Sequence, residues 1–523
     1  MNGAESLVRT AVQAGVEVCF TNPGTTAMHL VAALDSEPGM RGVLALFEGV
    51  LTGAADGYGR MLDRPAMTLL HLGPGFGNGI ANLHNARRAR SPIVNVIGHH
   101  ATWQRNFDAP LNSDVETLVR PVSAWQRSCA SVDHISFDTA AAIAAAQTRP
   151  GQIASMIVPA DVQWGEAPEQ VQALPKSRSH QVAGGHVEDV ADVVRGGGRI
   201  MVMLGGHGLR AEGLRAAGAI AAAFDHVELV CETFPARMER GPETPSLRRL
   251  PYFPEQVMEF LDGVDTLILA GALEPVSFFG YEKLPARLVP DATRQVELAT
   301  PEDDVAQALI DLAEALGATT PAATREVVLP EVPEGGLTPS SVAQAIVANL
   351  PENAIVVDEG VTSAGGFFPA SASGPTHTYM NLTGGSIGWG IPCGLGAAIA
   401  CPDRKVVVLE GDGSGLYTAQ GLWTMAREQV DATVVVFVND VYRILQVELM
   451  RTGVEDPGKQ SLELTTLNEP AIDWPSLAKA YGIPSSTATT APELATQMQQ
   501  ANANQGPHLI VARMADGAQV AAP

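Results

Sequence analysis

Residues 411–439 read GDGSGLYTAQGLWTMAREQVDATVVVFVN, and they follow the apolar run VVVLE at 406–410. That run is typical of a buried strand, and so is the apolar run TVVVFV at 433–438. We predict a helix for the segment between the two runs. A strand, a helix and a second strand in this order indicate a βαβ unit with parallel strands.

The predicted βαβ unit places polar residues at one edge of its sheet. Asp412 follows the first strand and Asn439 follows the second, with 26 residues between them. The carboxyl ends of parallel strands meet at one edge, so both side chains can offer oxygen ligands to one Mg²⁺ or Ca²⁺. Gly411 and Gly413 leave the backbone open to close approach by phosphate oxygens. The pattern predicts a metal diphosphate site, and its alternative is an ordinary turn in which Asp412 caps the helix.

This arrangement resembles the diphosphate-binding motif of thiamine-diphosphate-dependent enzymes, a Gly-Asp-Gly followed at a distance by Asn. The resemblance implies that Asp412 and Asn439 bind the metal through their side chains and that the backbone carbonyl of Val441 is a third ligand. It also implies cofactor contacts for Ser414 and Tyr442. We therefore expect thiamine diphosphate and Mg²⁺ as cofactors.

The segment ALFEGVLTGAADGYGR, residues 45–60, places Glu48 at the start of a predicted helix of small residues. A carboxylate that enters such an apolar run is costly to bury without a partner. In the family that the metal motif resembles, a glutamate in this setting hydrogen-bonds N1′ of the aminopyrimidine ring. That contact favours the imino form, whose N4′ takes the proton from C2, and the resemblance implies this role for Glu48. A glutamate that only complements the helix dipole is the alternative.

A third motif, TGGSIGWGIPCGLGAAIA, covers residues 383–400. By resemblance, the backbone carbonyl near Gly385 accepts a hydrogen bond from the pyrimidine amino group. Ile387 is then the bulky side chain that bends the cofactor and brings N4′ close to C2. A glycine-rich turn before a buried helix would look similar.

The composition is that of a large acidic protein. The 523 residues include 57 Asp and Glu against 33 Lys and Arg, which argues against nucleic acid or anionic membrane surfaces as partners. No apolar run is long enough to span a bilayer, and the N-terminus reads as an amphipathic helix rather than a signal peptide. The five cysteines have neither metal-site nor redox-pair spacing. We expect a cytoplasmic protein with free thiols.

Strands and helices alternate along the chain, which predicts α/β architecture with parallel sheets flanked by helices. Proline-bearing polar stretches suggest linkers. The resemblance implies three domains, each with a parallel sheet flanked by helices, and we place the N-terminal pyrimidine-binding domain at 1–166, the central domain at 187–320 and the C-terminal diphosphate-binding domain at 336–518. The resemblance implies a homodimer or homotetramer, with each active site shared between the first domain of one subunit and the last domain of another.

Substrate-pocket residues are suggested by comparison with 2-oxo acid decarboxylases of the benzoylformate type. The turn after the first strand, NPGTT, offers Thr25 or Thr26 as a hydroxyl for the substrate carboxylate, although such a hydroxyl more often caps a backbone group. His71 matches a histidine of that enzyme and could relay protons. A satisfied core histidine at a strand end is the alternative for His71.

The chain also departs from that decarboxylase. Its second active-site histidine would fall where this chain has Phe278 and Phe279, so the proton relay is incomplete. His99 and His100 lie where acetolactate-synthase-like enzymes carry glutamine, and we include His99 among the candidate catalytic residues. A surface turn would explain both histidines equally well.

The predicted activity is that of an acetolactate-synthase-like enzyme, a thiamine-diphosphate-dependent 2-oxo acid decarboxylase or carboligase. By resemblance, the C2 carbanion attacks a 2-oxo acid, CO₂ leaves, and the enamine passes to a proton or to a second carbonyl. A benzoylformate-decarboxylase-like enzyme, a hydrolase or lyase of diketones or acyloins, and a regulatory protein without chemistry are the alternatives. FAD is allowed but not implied, because the best glycine loop of the central region, LGGHG at 204–208, is a poor dinucleotide fingerprint.

Overall fold

The computed structural model describes residues 1–168, 173–175, 179–318, 320, 323–454 and 456–515. It contains three α/β units, each built on a mainly parallel sheet that is flanked by helices. This is the architecture that the alternation of apolar strands and helices predicts.

The first sheet has six parallel strands. They are β1 (Val18–Thr21), β2 (Arg41–Leu44), β3 (Ala66–His71), β4 (Ile93–His99), β5 (Trp125–Ser128) and β6 (Ile153–Pro159). Their spatial order is β2-β1-β3-β4-β6-β5. The helices of this unit are α1 (Gly3–Gln13), α2 (Met28–Leu34), α3 (Glu48–Leu62), α4 (Leu72–Ala89), α5 (Val115–Val119), α6 (Ile135–Ala146) and α7 (Ala160–Trp164).

The second sheet has five parallel strands. They are β7 (Ile200–Leu204), β8 (Val227–Cys231), β10 (Arg248–Arg249), β11 (Thr266–Ala270) and β12 (Arg294–Ala299). Their order is β10-β8-β7-β11-β12. The accompanying helices are α8 (Gly184–Arg195), α9 (Ala211–Ala223), α10 (Pro254–Leu261) and α11 (Val305–Ala315).

The third sheet has seven strands. They are β9 (Met238–Arg240), β13 (Ala354–Glu359), β14 (His377–Asn381), β15 (Val406–Gly411), β16 (Ala432–Val438), β17 (Ser485–Ala488) and β18 (His508–Arg513). Their order is β17-β18-β16-β15-β13-β14-β9, and β9 alone is antiparallel. The helices are α12 (Pro339–Val347), α13 (Phe367–Ala370), α14 (Gly390–Ala400), α15 (Asp412–Gly415), α16 (Gln420–Glu428), α17 (Arg443–Arg451), α18 (Lys459–Glu463), α19 (Trp474–Ala480) and α20 (Ala491–Ala503).

The division into domains at 1–166, 187–320 and 336–518 stays a prediction. Strand β9 lies inside the predicted central range, yet it pairs with β14 of the third sheet. Helix α8 begins before the predicted start of the central range. Residues 319 and 516–518 lie outside the part of the chain that is described.

Small residues allow α3 and α14 to pack closely against each other. A Cβ atom built on Gly396 would lie 1.8 Å from the carbonyl oxygen of Ala54, so only glycine fits at that contact. Helix α3 begins at Glu48, and α14 follows the segment that carries Ile387. The contact between the two helices therefore fixes two of the predicted site motifs relative to each other.

The stretch GPGFGNG, residues 73–79, suggests a turn by its glycines and proline. That interpretation is wrong, because these residues form the beginning of α4. Pro74 lies in the first turn of the helix, where backbone N–H groups have no intrahelical partner and proline is tolerated.

Within the described ranges, no helix combines the length and the apolar character that crossing a membrane requires. The cytoplasmic location stays a prediction from the sequence.

Candidate active site

Glu48 is a buried carboxylate held by two amide side chains. It is the first residue of α3, and 7% of its surface is exposed. Asn22, just after β1, donates from Nδ2 to Oε1 at 3.4 Å, and Asn78 of α4 donates to Oε2 at 3.0 Å. Three segments at the carboxyl edge of the first sheet thus converge on one carboxylate. Neither asparagine was predicted as a site residue.

His71 and Thr26 lie beside Glu48 at the same edge. His71 ends β3, and its Nδ1 lies 3.0 Å from Thr26 Oγ1. Burial lowers the pKa of His71, and His100 lowers it further, whereas the charge of Glu48 raises it. Gln163 donates to the backbone carbonyl of Thr26 at 2.7 Å and fixes the turn. Of the two candidate threonines, Thr26 contacts His71 and Thr25 is exposed.

His99 and His100 lie side by side at the end of β4, with ring centroids 5.9 Å apart, but their other neighbours differ. His99 is 2% exposed, and its electrostatic neighbours include Arg105 and Glu116. Burial, and then the charge of Arg105, lower its pKa to about 4. His100 is the histidine that acts electrostatically on His71.

The segment with Gly385 and Ile387 is clamped by helix α4. Gly385 has φ 73°, a conformation that favours glycine. Asn85 of α4 donates to the carbonyl of Ser386 at 2.7 Å and accepts from its N–H at 3.2 Å. Asn82 donates to the carbonyl of Gly388 at 3.0 Å. Ile387 is half-buried against the core shared by the first and third sheets.

Two buried glutamates, which the sequence analysis missed, connect this segment to the Gly-Asp-Gly loop. Glu359 accepts hydrogen bonds from the backbone N–H groups of residues 388–390 at 2.5–2.9 Å. Glu410 accepts from the N–H of Ile391 at 3.1 Å and from Ser414 Oγ at 2.6 Å. The two carboxyl groups also hydrogen-bond to each other. Burial raises the pKa of Glu359 to about 7 and raises that of Glu410 as well, so the pair holds a proton at neutral pH.

Asp412 is buried at the carboxyl end of β15. Its carboxylate accepts from the N–H groups of Gly413 at 2.9 Å, Asn439 at 3.1 Å and Asp440 at 2.7 Å. Burial raises its pKa to about 6, and the charge of Asp440 adds to this shift while the three N–H donors oppose it. Asn439 donates to Ser363 at 3.3 Å and accepts from the N–H of Val441 at 3.1 Å.

These residues fit a bound magnesium ion. Asp412, Asn439 and Val441 supply a carboxylate, an amide oxygen and a backbone carbonyl, the hard oxygen donors that Mg²⁺ prefers when phosphates complete its coordination. Within the described ranges, Asp440 Oδ1 is buried with no hydrogen-bond partner, so an unsatisfied oxygen lies next to these donors. The described residues contain no cluster of three or more His, Cys, Asp or Glu side chains suited to a metal ion.

The Gly-Asp-Gly loop is built for close approach. Gly411 ends β15, and Gly413 packs against the ring of Tyr442, where an added Cβ would lie 2.3 Å from Cε1. Ser414 Oγ donates to Glu410 Oε1 at 2.6 Å and also lies 3.2 Å from the carbonyl of Gly411. Gly413 is therefore required by its close contact with Tyr442, and Ser414 fixes the loop to Glu410.

The residues of the central unit do not fit a dinucleotide such as FAD. A dinucleotide phosphate would need the free N–H groups of the glycine loop after β7. Gly206 of that loop instead donates to Glu232 Oε1 at 3.3 Å. Nearby, Arg210 pairs at 3.0 Å with Asp63, the residue after α3.

Two family models and several known proteins match the chain. The family described as "Thiamine pyrophosphate enzyme, N-terminal TPP binding domain" matches residues 1–118, and "Thiamine pyrophosphate enzyme, C-terminal TPP binding domain" matches residues 360–512. The chain is 47% identical to the "Putative acetolactate synthase large subunit IlvX" of Mycobacterium tuberculosis, over 98% of both chains. It is 29% identical to a benzoylformate decarboxylase of Pseudomonas aeruginosa, over 95% of this chain and 96% of that protein.

A solved structure gives the same picture for the fold. The thiamine diphosphate-dependent 4-hydroxybenzoylformate decarboxylase of Rhodococcus jostii RHA1 superposes with a TM-score of 0.87 at 22% identity, covering 99% of this chain and 100% of that one. The predicted cofactors, thiamine diphosphate with the Mg²⁺ typical of the family, are borne out by the matches to both cofactor-binding domains. The chain belongs to the thiamine pyrophosphate enzyme family and is a thiamine-diphosphate-dependent enzyme related to acetolactate synthase and benzoylformate decarboxylase.

Proposed function

We propose that the protein decarboxylates a 2-oxo acid and transfers the remaining acyl unit to a second carbonyl. The observation that carries this proposal is the environment of Glu48. Its carboxylate is buried, and asparagine amides hold both of its oxygens in place. An arrangement of this kind keeps an acceptor oriented toward a ring nitrogen, and a protein that only bound the cofactor would have no need for it.

Thiamine diphosphate, when bound, supplies a nucleophilic carbon and an electron sink for C–C bond cleavage. Asp412, Asn439 and the carbonyl of Val441 would hold the metal, and Gly413 would allow the diphosphate to approach. Gly385 and Ile387 would contact the pyrimidine side. Glu48 would hold a proton at N1′ of that ring. The buried pair Glu359 and Glu410 would hold the segment that carries Ile387 and the Gly-Asp-Gly loop in fixed positions relative to each other.

His71 is the residue we propose to move a proton near the reacting carbon. Its lowered pKa leaves the ring neutral at physiological pH, so one nitrogen can accept while the other donates. Thr26 Oγ1 orients the ring through Nδ1. Nε2 is then the nitrogen available to a substrate.

Carboligation is favoured over simple aldehyde release by the region of Phe278. Its ring packs against Phe234 at 5.1 Å and Tyr252 at 5.2 Å between ring centroids. Phenylalanine has no acidic group that could protonate a carbanion, and burial raises the pKa of the neighbouring Tyr252 phenol to about 12, which makes it a weak proton donor. A weak proton supply in this region helps an acceptor carbonyl to compete with a proton.

We further propose a homodimer or homotetramer with shared sites. Glu48 lies at the edge of the first sheet and Asp412 at the edge of the third. Exposed aromatic side chains such as Trp103, at 64%, and Phe107, at 77%, offer apolar surface that a second subunit could cover. Analytical ultracentrifugation of the purified protein would test this assembly.

The proposed activity is tested by a substrate panel. The purified protein, thiamine diphosphate and Mg²⁺ are incubated with pyruvate, benzoylformate and branched 2-oxo acids, while CO₂ and all products are measured. Acyloin or acetohydroxyacid products are expected. Aldehyde as the sole product would instead indicate a benzoylformate-decarboxylase-like enzyme. Bound cofactor without CO₂ from any acid would contradict the proposal and favour a hydrolase or lyase of diketones.

A further inference from the structure

Several buried polar atoms at the end of β4 and in the segment that leads from it to α5 have no hydrogen-bond partner in the protein. Among the residues that the structure describes, these atoms are His99 Nδ1, His100 Nε2, Ser113 Oγ and both Nε and Nη2 of Arg105. Buried polar groups in native proteins are nearly always hydrogen-bonded, so such a concentration needs an explanation. One explanation is a bound ligand that supplies hydrogen-bond partners to all of these atoms.

We treat the residues that carry these atoms as the lining of one candidate pocket, because Arg105 and His100 are both electrostatic neighbours of His99, and Asn112, next to Ser113, donates to the carbonyl of Arg105 at 3.3 Å. His99 and His100 lie side by side at the end of β4, with ring centroids 5.9 Å apart. Ser113 Oγ lies against Gly73, two residues after His71, where a Cβ atom would come within 2.1 Å of it. The pocket therefore adjoins the proposed proton-transfer residue.

Arg105 gives the pocket its charge. Its Nη1 lies 3.7 Å from Glu116 Oε1, too long for a hydrogen bond, and Ser128 donates to that same carboxylate oxygen at 2.7 Å. The guanidinium is always protonated, and two of its nitrogens are left to donate in a planar fork. Such a fork matches the two oxygens of a carboxylate, and the hydroxyl of Ser113 could add a third donor.

We infer that Arg105, with His99, His100 and Ser113, binds a substrate carboxylate that is retained in the product. A carboxylate that leaves as CO₂ would gain nothing from this site, because an arginine that stabilises it in the ground state raises the barrier to its loss. The retained group is either a second carboxylate on the donor or the carboxylate of an acceptor 2-oxo acid. This inference rests on the proposed function and names the substrate class.

Two kinetic comparisons distinguish the sources of the carboxylate. For the donor, 2-oxoglutarate is compared with 2-oxopentanoate, which lacks the second carboxylate. For the acceptor, pyruvate is compared with acetaldehyde while pyruvate remains the donor. Each comparison is made with the wild-type holoenzyme and the variants Arg105→Met, Arg105→Lys and Arg120→Met. Arg120 is an exposed arginine just after α5 and serves as the matched control.

In one of the two comparisons, Arg105→Met is expected to lower kcat/KM by about 10- to 100-fold for the compound that carries the carboxylate and to leave the other compound unaffected. A loss of this size is what removal of a charge-assisted hydrogen bond causes. Arg105→Lys should recover part of the loss, since it restores charge without the fork. Arg120→Met should match wild type. An equal loss with and without the carboxylate, or no loss in either comparison, would overturn the inference.

A binding measurement tests the pocket independently of the decarboxylation reaction. Glutarate, which has no oxo group, is titrated calorimetrically into wild-type and Arg105→Met holoenzyme, and thermal unfolding and cofactor affinity confirm that the variant is folded. Arg105→Met is expected to weaken glutarate binding at least tenfold. Glutarate binding that depends on Arg105, without CO₂ release from any acid, would contradict the proposed function but support the carboxylate site. Normal CO₂ release, with no glutarate binding and no effect of Arg105→Met, would contradict the carboxylate site and leave the proposed function intact.

Discussion

Glu48 is the residue on which the proposed chemistry depends most directly, and Glu48→Gln tests it. The glutamine keeps the shape of the side chain and can still contact Asn22 and Asn78, but an amide cannot hold a proton at N1′ as a carboxylate does. We expect unchanged binding of the metal diphosphate and at least about 100-fold slower exchange of the cofactor C2 proton in D₂O, measured by NMR after acid quench.

The control for this change is Glu331→Gln, which alters an exposed glutamate in the stretch before α12. It should leave the exchange rate unchanged. An exchange rate in Glu48→Gln equal to that of the control would rule out the proposed role of Glu48.

Asp412→Ala tests the metal site. The change removes a metal ligand and the acceptor of three backbone N–H groups that shape the loop. We expect Mg²⁺-dependent cofactor binding to be lost, measured by fluorescence quenching with and without Mg²⁺. Asp403→Ala, at an exposed position before β15, is the matched control. Preserved affinity in Asp412→Ala would mean that the metal lies elsewhere.

The residues that the sequence could indicate are those in local motifs. Glu48 stands out as a charge in an apolar run, and Asp412 and Asn439 stand out by their strands and spacing. Asn22 and Asn78 could not be found in this way, because segments far apart in the sequence bring them to Glu48. Glu359 and Glu410 are likewise a pair only after β13 and β15 become neighbours in the sheet.

At the scale of elements, the strands were the most predictable features. Apolar runs such as PAMTLLHL and SPIVNVIG coincide with β3 and β4, because central parallel strands are buried on both faces. The beginning of α4 was mistaken for a turn because glycine and proline are weak helix formers. Packing against α3 and the edge of the first sheet overrides that propensity, and no local pattern reveals it.

The end of α3 provides a test of pH dependence. Asp63 follows the helix and faces Arg210 at 3.0 Å and His207 at 3.4 Å on the central unit. Burial alone would raise the pKa of Asp63, but His207 and the two arginines Arg210 and Arg237 outweigh it and hold the pKa well below the ordinary value. A depressed carboxyl pKa stabilises the fold above the unfolded-state value of about 4, and the stabilisation is lost as the pH falls.

Asp63→Asn should therefore lower the free energy of unfolding by about 1 kcal/mol at neutral pH, since the side chain is partly exposed. Asparagine tolerates the left-handed conformation of this position, φ 50°, so the backbone should be unaffected. The difference from wild type should shrink below about pH 4 in urea denaturation series. Asp35→Asn, after α2 at an exposed position, is the control. A difference that stays constant down to pH 3 would show that the charge of Asp63 is not responsible.

At the scale of the whole molecule, α3 ties the first unit to the third sheet and to the stretch that leads from β8 to β9. Arg60 donates to the carbonyl of Ala236 at 3.1 Å, in the stretch before β9, and to the carbonyl of Asn381 at 2.8 Å, at the end of β14. Asp56 accepts from Arg60 Nη2 at 2.7 Å and from Trp389 Nε1 at 2.6 Å. The helix that presents Glu48 is thereby tied to the segment that carries Ile387.

Removing Asp56 should therefore weaken both the fold and the cofactor site. Asp56 and Arg60 have side-chain exposures of 0% and 2%, so Asp56→Ala leaves a buried guanidinium unpaired and should cost about 3–5 kcal/mol in the free energy of unfolding. The indole N–H of Trp389 loses its acceptor too, so affinity for the metal diphosphate should fall together with the urea midpoint.

The double variant Asp56→Ala/Arg60→Met separates the charge from the packing. It removes the unpaired charge and keeps the apolar length of the side chain over Trp389, where the guanidinium lies 4.5 Å from the ring centroid. If the unpaired charge dominates, the double variant is more stable than Asp56→Ala alone, because a buried pair replaced by apolar groups costs far less than a pair that is broken. A double variant no more stable than Asp56→Ala would show that the geometry of the hydrogen bonds, rather than the charge, holds the three units together.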